Sequence, residues 1–291
     1  MTRPLEFDDS GLDRWTDDER FKVTRERLAE YAAATNDPIE AHRSGDVAPP
    51  VFAIVPVFEA LLTPAVDVMP VEAIPRIVHG EQDFHFHRPI RPGDRLVSRA
   101  KMIGYQGLEK GTRAAIVLEC RTEDGELVNE QYVTTFVRGL NVGKAVGELS
   151  PDHKFDDALR NSAPRAKVVQ HIDNDQTFRY SPAAGDPMPI HLDEEVARST
   201  GLPGIIAHGL CTMAFTSWAV LTELADSDVS RLKRFAVRFS KPVLPGDDIE
   251  TRIWTKAQAN GSTTYAFETA KGNDAGEELV ITDGLAEISD R

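Results

Sequence analysis

The chain has 291 residues, and its apolar share of 41% and charged share of 27% are those of a water-facing globular protein long enough for two domains of about 100–150 residues. A net charge of −14 argues against a general nucleic-acid binder, which needs basic groups against phosphate. No stretch approaches the roughly 20 uncharged apolar residues of a membrane helix, and two cysteines in separate halves, Cys120 and Cys211, make neither a disulfide framework nor a metal-type cluster. The start "MTRPLEFDDSG" has no apolar core of a signal peptide, so the expected location is cytoplasmic.

In chain order, the first motif is "YAAATNDPIEAH" (Tyr31 to His42), which places Asp37 ahead of His42 with a proline between them. A helix candidate comes next, "VFAIVPVFEALL" from Val51, whose Pro56 should shift its start or kink it. The strand-like "HGEQDFHFH" then puts His85 and His87 on one face beside Asp83. Alternating histidines can ligate a metal. The matching later segment "VRFSKP" has none, so this one reads as a strand end. "RPIRPGDRL" leads into three alternating segments, "RLVSRAKMIGY", "TRAAIVLECRT" and "ELVNEQYVTTFVR", with turn signals at "YQG" and "EDG". The charged, proline-containing stretch from Gly147 to Lys167 reads as a linker, and its "DDALRN" as a short helix.

The second half repeats the first. "YSPAAGDPMPIH" (Tyr180 to His191) has the same Tyr, Asp-Pro and His spacing, with Asp186 and His191. Pro187 and Pro189 make it an irregular loop, neither helix interior nor central strand. "GLPG" and "IIAHG" deliver the chain to "GLCTMAFTSWAVLTELA", a helix from near Gly209 that is apolar on nearly every side and therefore buried. "RLKRFAVRFS" and "KPVLPGDDI" repeat the first-half strand and turn. "DIETRIWTKAQ", "TTYAFETAKG" and "EELVITDGLAEIS" come after them, separated by "ANGS" and "GNDAGE". Each half thus reads as loop, helix and three or four antiparallel strands, an α+β arrangement in which a sheet curls around one helix.

A helix start presents unpaired N–H groups, and a glycine there lets an acceptor approach the backbone. That is what an oxyanion hole requires. An aspartate and a histidine facing it could hold and activate one water. Taken singly, Asp-Pro is an ordinary turn former and a histidine near a helix start an ordinary cap; their repetition favours the functional reading. The first half has Ile54 and Val55 where the second has His208 and Gly209, so it lacks the glycine. Cys211 lies inside the apolar helix and reads as a small core residue. The carboxylates of "HLDEEVARS" read as an acidic first helical turn.

Together "YSPAAGDPMPIHLDEEVARSTGLPGIIAHGLCTMAF", "RFSKPVLPGD", "VHGEQDFHFHRPIRPGD" and "APPVFAIV" resemble the MaoC-like (R)-specific enoyl-CoA hydratases, the hydratase 2 group, over nearly the whole chain. The resemblance implies a double hot-dog fold, with residues 1–148 as a first repeat, 149–164 as linker and 165–291 as the repeat that carries the chemistry. It implies Asp186 and His191 as the catalytic pair, and Gly209 as the residue whose N–H faces a thioester oxygen. Tyr180, Gly185, Met188 and His208 become substrate-binding candidates, with no metal and no cofactor. The implied reaction is hydration of a trans-2-enoyl thioester of coenzyme A or an acyl-carrier protein to the (R)-3-hydroxyacyl form, or its reverse. Where the family usually has Asn, this chain has Met188, at best a weak acceptor. A hot-dog thioesterase and a non-catalytic acyl-thioester binding module remain alternatives. The first repeat is expected either to shape the acyl tunnel or to be a plain structural copy. Arg234, Arg238 and Lys241 are candidates for coenzyme A phosphates, or simply a solvated strand face. A monomer and a side-by-side homodimer are both open.

Overall fold

The computed structural model describes residues 6–273 and 276–290; the first five residues and the centre of the expected "GNDAGE" turn, Asp274 and Ala275, lie outside the described residues. The chain forms two compact units. One comprises the chain up to Lys22, Pro56–His85 and Arg95–Asp152; the other comprises Val23–Val55, Phe86–Asp94 and the chain from His153 onward. The Asp37/His42 loop therefore belongs to the same unit as the Asp186/His191 loop.

The first unit is an antiparallel sheet of β1 (Glu19–Lys22), β2 (Ile77–Phe86), β3 (Arg95–Leu108), β4 (Gly111–Thr122), β5 (Leu127–Arg138) and the short β6 (Ala145–Gly147). The strand order is β1-β3-β4-β5-β2, with β6 on β3. The expected "YQG" turn is instead part of β3, which runs on to pair Leu108 with Gly111. Gly107 serves a close approach: a Cβ there would collide with Asn141 Oδ1. The "EDG" turn does close β4 onto β5, with Gly125 at φ 91°.

The helix expected from Val51 is not continuous. The chain forms a 3-10 helix over Pro50–Val57, then turns, and only Thr63–Val68 (α3) is α-helical. A proline inside a helix removes one hydrogen bond and clashes with the preceding turn, a cost of about 3 kcal/mol. Pro56 stands where that cost would fall. Pro64 lies in the first turn of α3, where its missing N–H has no helical partner to lose.

The second unit carries the loop helices α1 (Arg25–Ala34) and α2 (Glu40–Arg43), then β7 (Ala166–His171), α4 (Gln176–Ala184), α5 (Glu194–Ser199), α6 (Gly209–Leu224) and strands β8 (Leu232–Phe239), β9 (Asp248–Ala259), β10 (Ser262–Asn273) and β11 (Gly276–Ser289). Its sheet runs β8-β11-β10-β9-β7, and α6 packs on β7, β8, β9 and β11. The buried helix face includes Leu210, Met213, Phe215, Val220 and Leu221. Burying each such side chain contributes about 1.5–3 kcal/mol, which outweighs the low helix propensity of Thr212, Thr216 and Thr222. Thr212 and Thr216 stay buried because their hydroxyls are satisfied: Thr212 Oγ1 donates to His208 O, and Thr216 Oγ1 lies 3.1 Å from Thr269 Oγ1, itself 2.9 Å from Thr251 Oγ1. The "ANGS" signal makes the β9–β10 hairpin, with Asn260 and Gly261 at φ 52° and 74°. The linker's "DDALRN" becomes a 3-10 turn over Asp157–Asn161.

One local expectation is corrected here. Tyr180 to Ala184, read as irregular loop, is the last part of α4, with Pro182 inside it. Pro182 sits in the final turn, where it costs a single hydrogen bond, while Tyr180, Ser181, Ala183 and Ala184 are buried around it.

Candidate active site

The irregular part of the motif begins at Gly185, the left-handed cap of α4 at φ 76°. Its N–H and that of Asp186 both donate to Ser181 O, at 2.9 and 3.1 Å, and Ser181 Oγ donates back to Asp186 O at 2.8 Å. The Asp186 backbone is thus fixed by one upstream serine that the spacing of the motif does not reveal. The Asp186 side chain accepts the Met188 N–H at Oδ1, 3.1 Å. Pro187 and Pro189 supply no competing N–H, and the chain makes one 3-10 turn, Pro189–His191, which brings His191 back beside the carboxylate.

His191 is buried, and its Nδ1 lies 2.8 Å from Ile206 O. A carbonyl can only accept, so Nδ1 carries the proton and Nε2 keeps its lone pair. Burial lowers the His191 pKa, against the opposing pull of the Ile206 carbonyl and the Asp186 charge. Burial raises that of Asp186, against the Met188 N–H and His191. The two groups are therefore drawn toward each other in proton affinity, which is what a shared acid–base pair needs.

His208, the residue before α6, completes the cluster. Its ring stacks on that of His191, 3.8 Å between centroids and 26° between planes. Its Nε2 donates to Asp186 O at 3.2 Å. Its Nδ1 is buried without a partner, and burial, then the neighbouring His191, pushes its pKa down to about 3, so the ring is neutral. The Tyr180 ring packs 4.9 Å from it, and Tyr180 Oη is 3.2 Å from Tyr31 Oη of the first-half loop.

Asp186, His191 and His208 each bring one ligand-type atom within 4.8 Å of the others, the one such trio among the described residues. The Asp186 carboxylate and the Nε2 lone pair of His191 can polarise a water and move a proton, and the start of α6 lies beside them in sequence. Gly209 is the first residue of α6, where N–H groups have no intrahelical acceptor. A Cβ at 209 would lie 3.2 Å from the Phe239 ring, so a larger residue there would press that ring back by a few tenths of an ångström, while the φ of Gly209 makes no demand for glycine.

The other expected residues are less closely tied. Met188 is 51% exposed and meets Asp186 through its backbone N–H. Arg238 and Lys241 lie near Asp283 and Glu278, at 3.9 and 3.7 Å. Arg234 and Arg238 alternate along β8 with the buried Phe235 and Val237, hence on the opposite strand face. Cys211 is buried, and burial raises its thiol pKa, so it stays protonated. His85 pairs with Asp83 at 3.2 Å and packs on Tyr132.

The first-half pair is built differently. His42 Nδ1 lies 2.7 Å from Asp37 Oδ2, and Asp37 Oδ1 accepts the Ile39 N–H at 2.9 Å. Both side chains are buried, and His42 Nε2 has no partner. Ile54 and Val55 lie in the 3-10 helix and are buried.

Residues 158–276 match the family model described as MaoC like domain, and residues 12–131 that described as FAS1-like, dehydratase domain region. The chain is 32% identical over 215 residues to a protein named probable enoyl-CoA hydratase 2 from Dictyostelium discoideum, covering 73% of this chain and 70% of that one. It is 31% identical over 216 residues to 3-hydroxyacyl-thioester dehydratase Y of Mycobacterium tuberculosis, covering 72% of each. The crystal structure of a MaoC-like dehydratase from Phytophthora capsici superposes with a TM-score of 0.84 at 24% identity, over 97% of this chain and 99% of that one. The fold is a double hot-dog.

Proposed function

This chain belongs to the MaoC-like dehydratase and enoyl-CoA hydratase 2 family, and on that premise we propose that Asp186 and His191 add water across the double bond of a trans-2-enoyl thioester. The chain is an enzyme of the hydratase/dehydratase type acting on acyl-CoA thioesters. The finer assignment is (R)-specific addition. His191 Nε2 and the Asp186 carboxylate hold one water. Its oxygen bonds to the β-carbon while its proton passes to the pair. The π electrons move onto the thioester oxygen, where the Gly209 N–H stabilises the charge. A proton from the pair then reaches the α-carbon and restores the dyad. Dehydration is the same path reversed.

The observation that carries this reading is the direction of His191. Its Nδ1–H is spent on Ile206 O, so its one lone pair is left for the site it shares with Asp186. The first repeat, residues 1–148, is assigned no chemistry, because both oxygens of the Asp37 carboxylate are taken up, by His42 Nδ1 and the Ile39 N–H. Among the described residues no helix is long and apolar enough to cross a membrane. Cys120 and Cys211 are both buried thiols outside any disulfide, which suits a reducing compartment.

Incubation with crotonyl-CoA and longer 2-enoyl-CoAs tests the reading. Loss of enone absorbance without thiol release is the expected result. Thiol release would make the chain a thioesterase. Neither signal across the chain lengths would leave a binding module.

A further inference from the structure

We propose that Glu194 is a positioning residue for His191: its carboxylate holds the loop whose Ile206 carbonyl orients the imidazole. The proposal rests on the role given above to His191. Acidic residues in a first helical turn ordinarily only complement the helix dipole. In α5 the capping is done by Asp193, whose Oδ1 accepts the N–H groups of Glu195 and Val196. Glu194 is directed elsewhere. Its Oε2 accepts the Ile205 N–H at 3.0 Å, eleven residues along the chain, while Oε1 accepts Arg198 Nε at 2.8 Å.

The loop is shaped to receive that carboxylate. A Cβ on Gly204 would lie 3.1 and 3.2 Å from the two Glu194 oxygens, so the glycine leaves the space they fill. One residue beyond Ile205, the Ile206 carbonyl takes the His191 Nδ1–H at 2.8 Å. The Ile206 N–H has only a long bond to Ile190 O, 3.4 Å, and the next firm anchor is Ala207 N to Val243 O, 2.8 Å. The carbonyl that fixes the His191 tautomer is therefore held on its upstream side by Glu194. An exposed ion pair such as Glu194–Arg198 contributes little alone. The charge-assisted bond to a backbone N–H is the stronger contact. Without it the Ile206 carbonyl drifts, Nδ1 loses a fixed acceptor, and the lone pair no longer stays on Nε2.

Two readouts on the full chain test this. With crotonyl-CoA, Glu194→Ala is expected to lower kcat about tenfold, the scale of a small misplacement of a reacting group, with KM within about twofold. Glu194→Gln keeps an acceptor for Ile205 and should recover most of kcat. Arg198→Ala removes the ion pair and should leave kcat unchanged. The second readout needs no turnover: nitrogen-15 shifts of the His191 ring should report a single Nδ1–H tautomer in the wild type and a mixture in Glu194→Ala. Gly204→Ala, which displaces the carboxylate from the loop side, should reproduce both effects if Glu194→Ala folds poorly. Wild-type kcat or an unchanged tautomer in Glu194→Ala overturns the proposal, as does Glu194→Gln being as impaired as the alanine variant. A wild type without hydratase turnover overturns the function instead, and the tautomer measurement still decides on Glu194.

Discussion

The two Asp-Pro loops share their spacing and differ in where the histidine spends its Nδ1 proton. In the first loop, His42 Nδ1 closes on Asp37 Oδ2, and the other Asp37 oxygen takes Ile39 N–H, so both carboxylate oxygens are consumed. In the second, His191 Nδ1 goes to Ile206 O, and among the described residues the Asp186 carboxylate accepts only the Met188 N–H. The difference comes from the segment into which each loop leads. The second half delivers an extended segment, Ile205 to His208, to the start of a true helix, and that segment provides the carbonyl. The first half delivers Pro49 and Pro50 to a 3-10 turn. On the proposed function, what separates the two loops is the element that takes up the Nδ1 proton of the imidazole, and Asp–His spacing alone does not distinguish them.

The strongest way to break this contrast is to remove the charge of the second aspartate. Asp186→Asn retains an oxygen for the Met188 N–H, so the loop should keep its shape. Loss of the carboxylate is expected to lower kcat for crotonyl-CoA by about a thousandfold, within the range of general acid–base catalysis. Near wild-type turnover in a folded Asp186→Asn protein would end the assignment. Gly209→Ala comes next, at about a hundredfold, the scale of one oxyanion donor. The alanine keeps its N–H, so the loss should arise from the Phe239 ring pushing the helix start away. Adding Phe239→Ala should then recover part of the rate; no recovery would mean that the glycine matters for another reason.

Much of this is readable from the residues, and the exceptions have definite causes. The strands, the buried α6 and the Asp186–His191 pair are legible from period and spacing, which are local properties. The rest depends on which distant group meets which. Nothing in the spacing of Asp37 and His42 shows that they bond to each other while Asp186 and His191 do not. The Tyr31–Tyr180 hydroxyl pair links residues 149 positions apart. Gly107 reads as a turn because glycine marks both turns and close approaches. The Val51 helix is broken because Pro56 proves stronger than the surrounding apolar run. Glu194 reads as a dipole partner because its target, Ile205, lies beyond the helix.

His208 offers a test through stability. Its folded pKa of about 3 lies below the unfolded value of 6.5. Between those values the unfolded chain binds a proton that the folded chain does not, so stability falls as pH drops from about 6.5. From pH 6.5 to 5 the loss from this one group is on the order of 2 kcal/mol. Tyr180, Asp186 and His191 face the ring; the Asp186 shift, upward, acts in the opposite sense, and that of His191 in the same sense. His208→Phe keeps a ring against His191 and cannot titrate. Its melting temperature should be lower at neutral pH, for want of the bond to Asp186 O, and should fall less than the wild type's on acidification. An equal fall in both would mean that His208 is not held neutral.

The smallest expected effect on turnover is the most informative about the pair of loops. Asp37→Ala removes the partner of His42 Nδ1 and of the Ile39 N–H, both in a buried setting. Each unsatisfied buried group costs about 1–3 kcal/mol, so the melting temperature should drop clearly. Turnover of the folded fraction should stay within about threefold, because neither Asp37 oxygen is free to meet a substrate. The two halves would then divide as their hydrogen bonds divide: one carboxylate closed into the fold, the other left open for water. A folded Asp37→Ala protein without hydratase activity would show that the first loop takes part in the chemistry, and the contrast between the loops would lose its meaning.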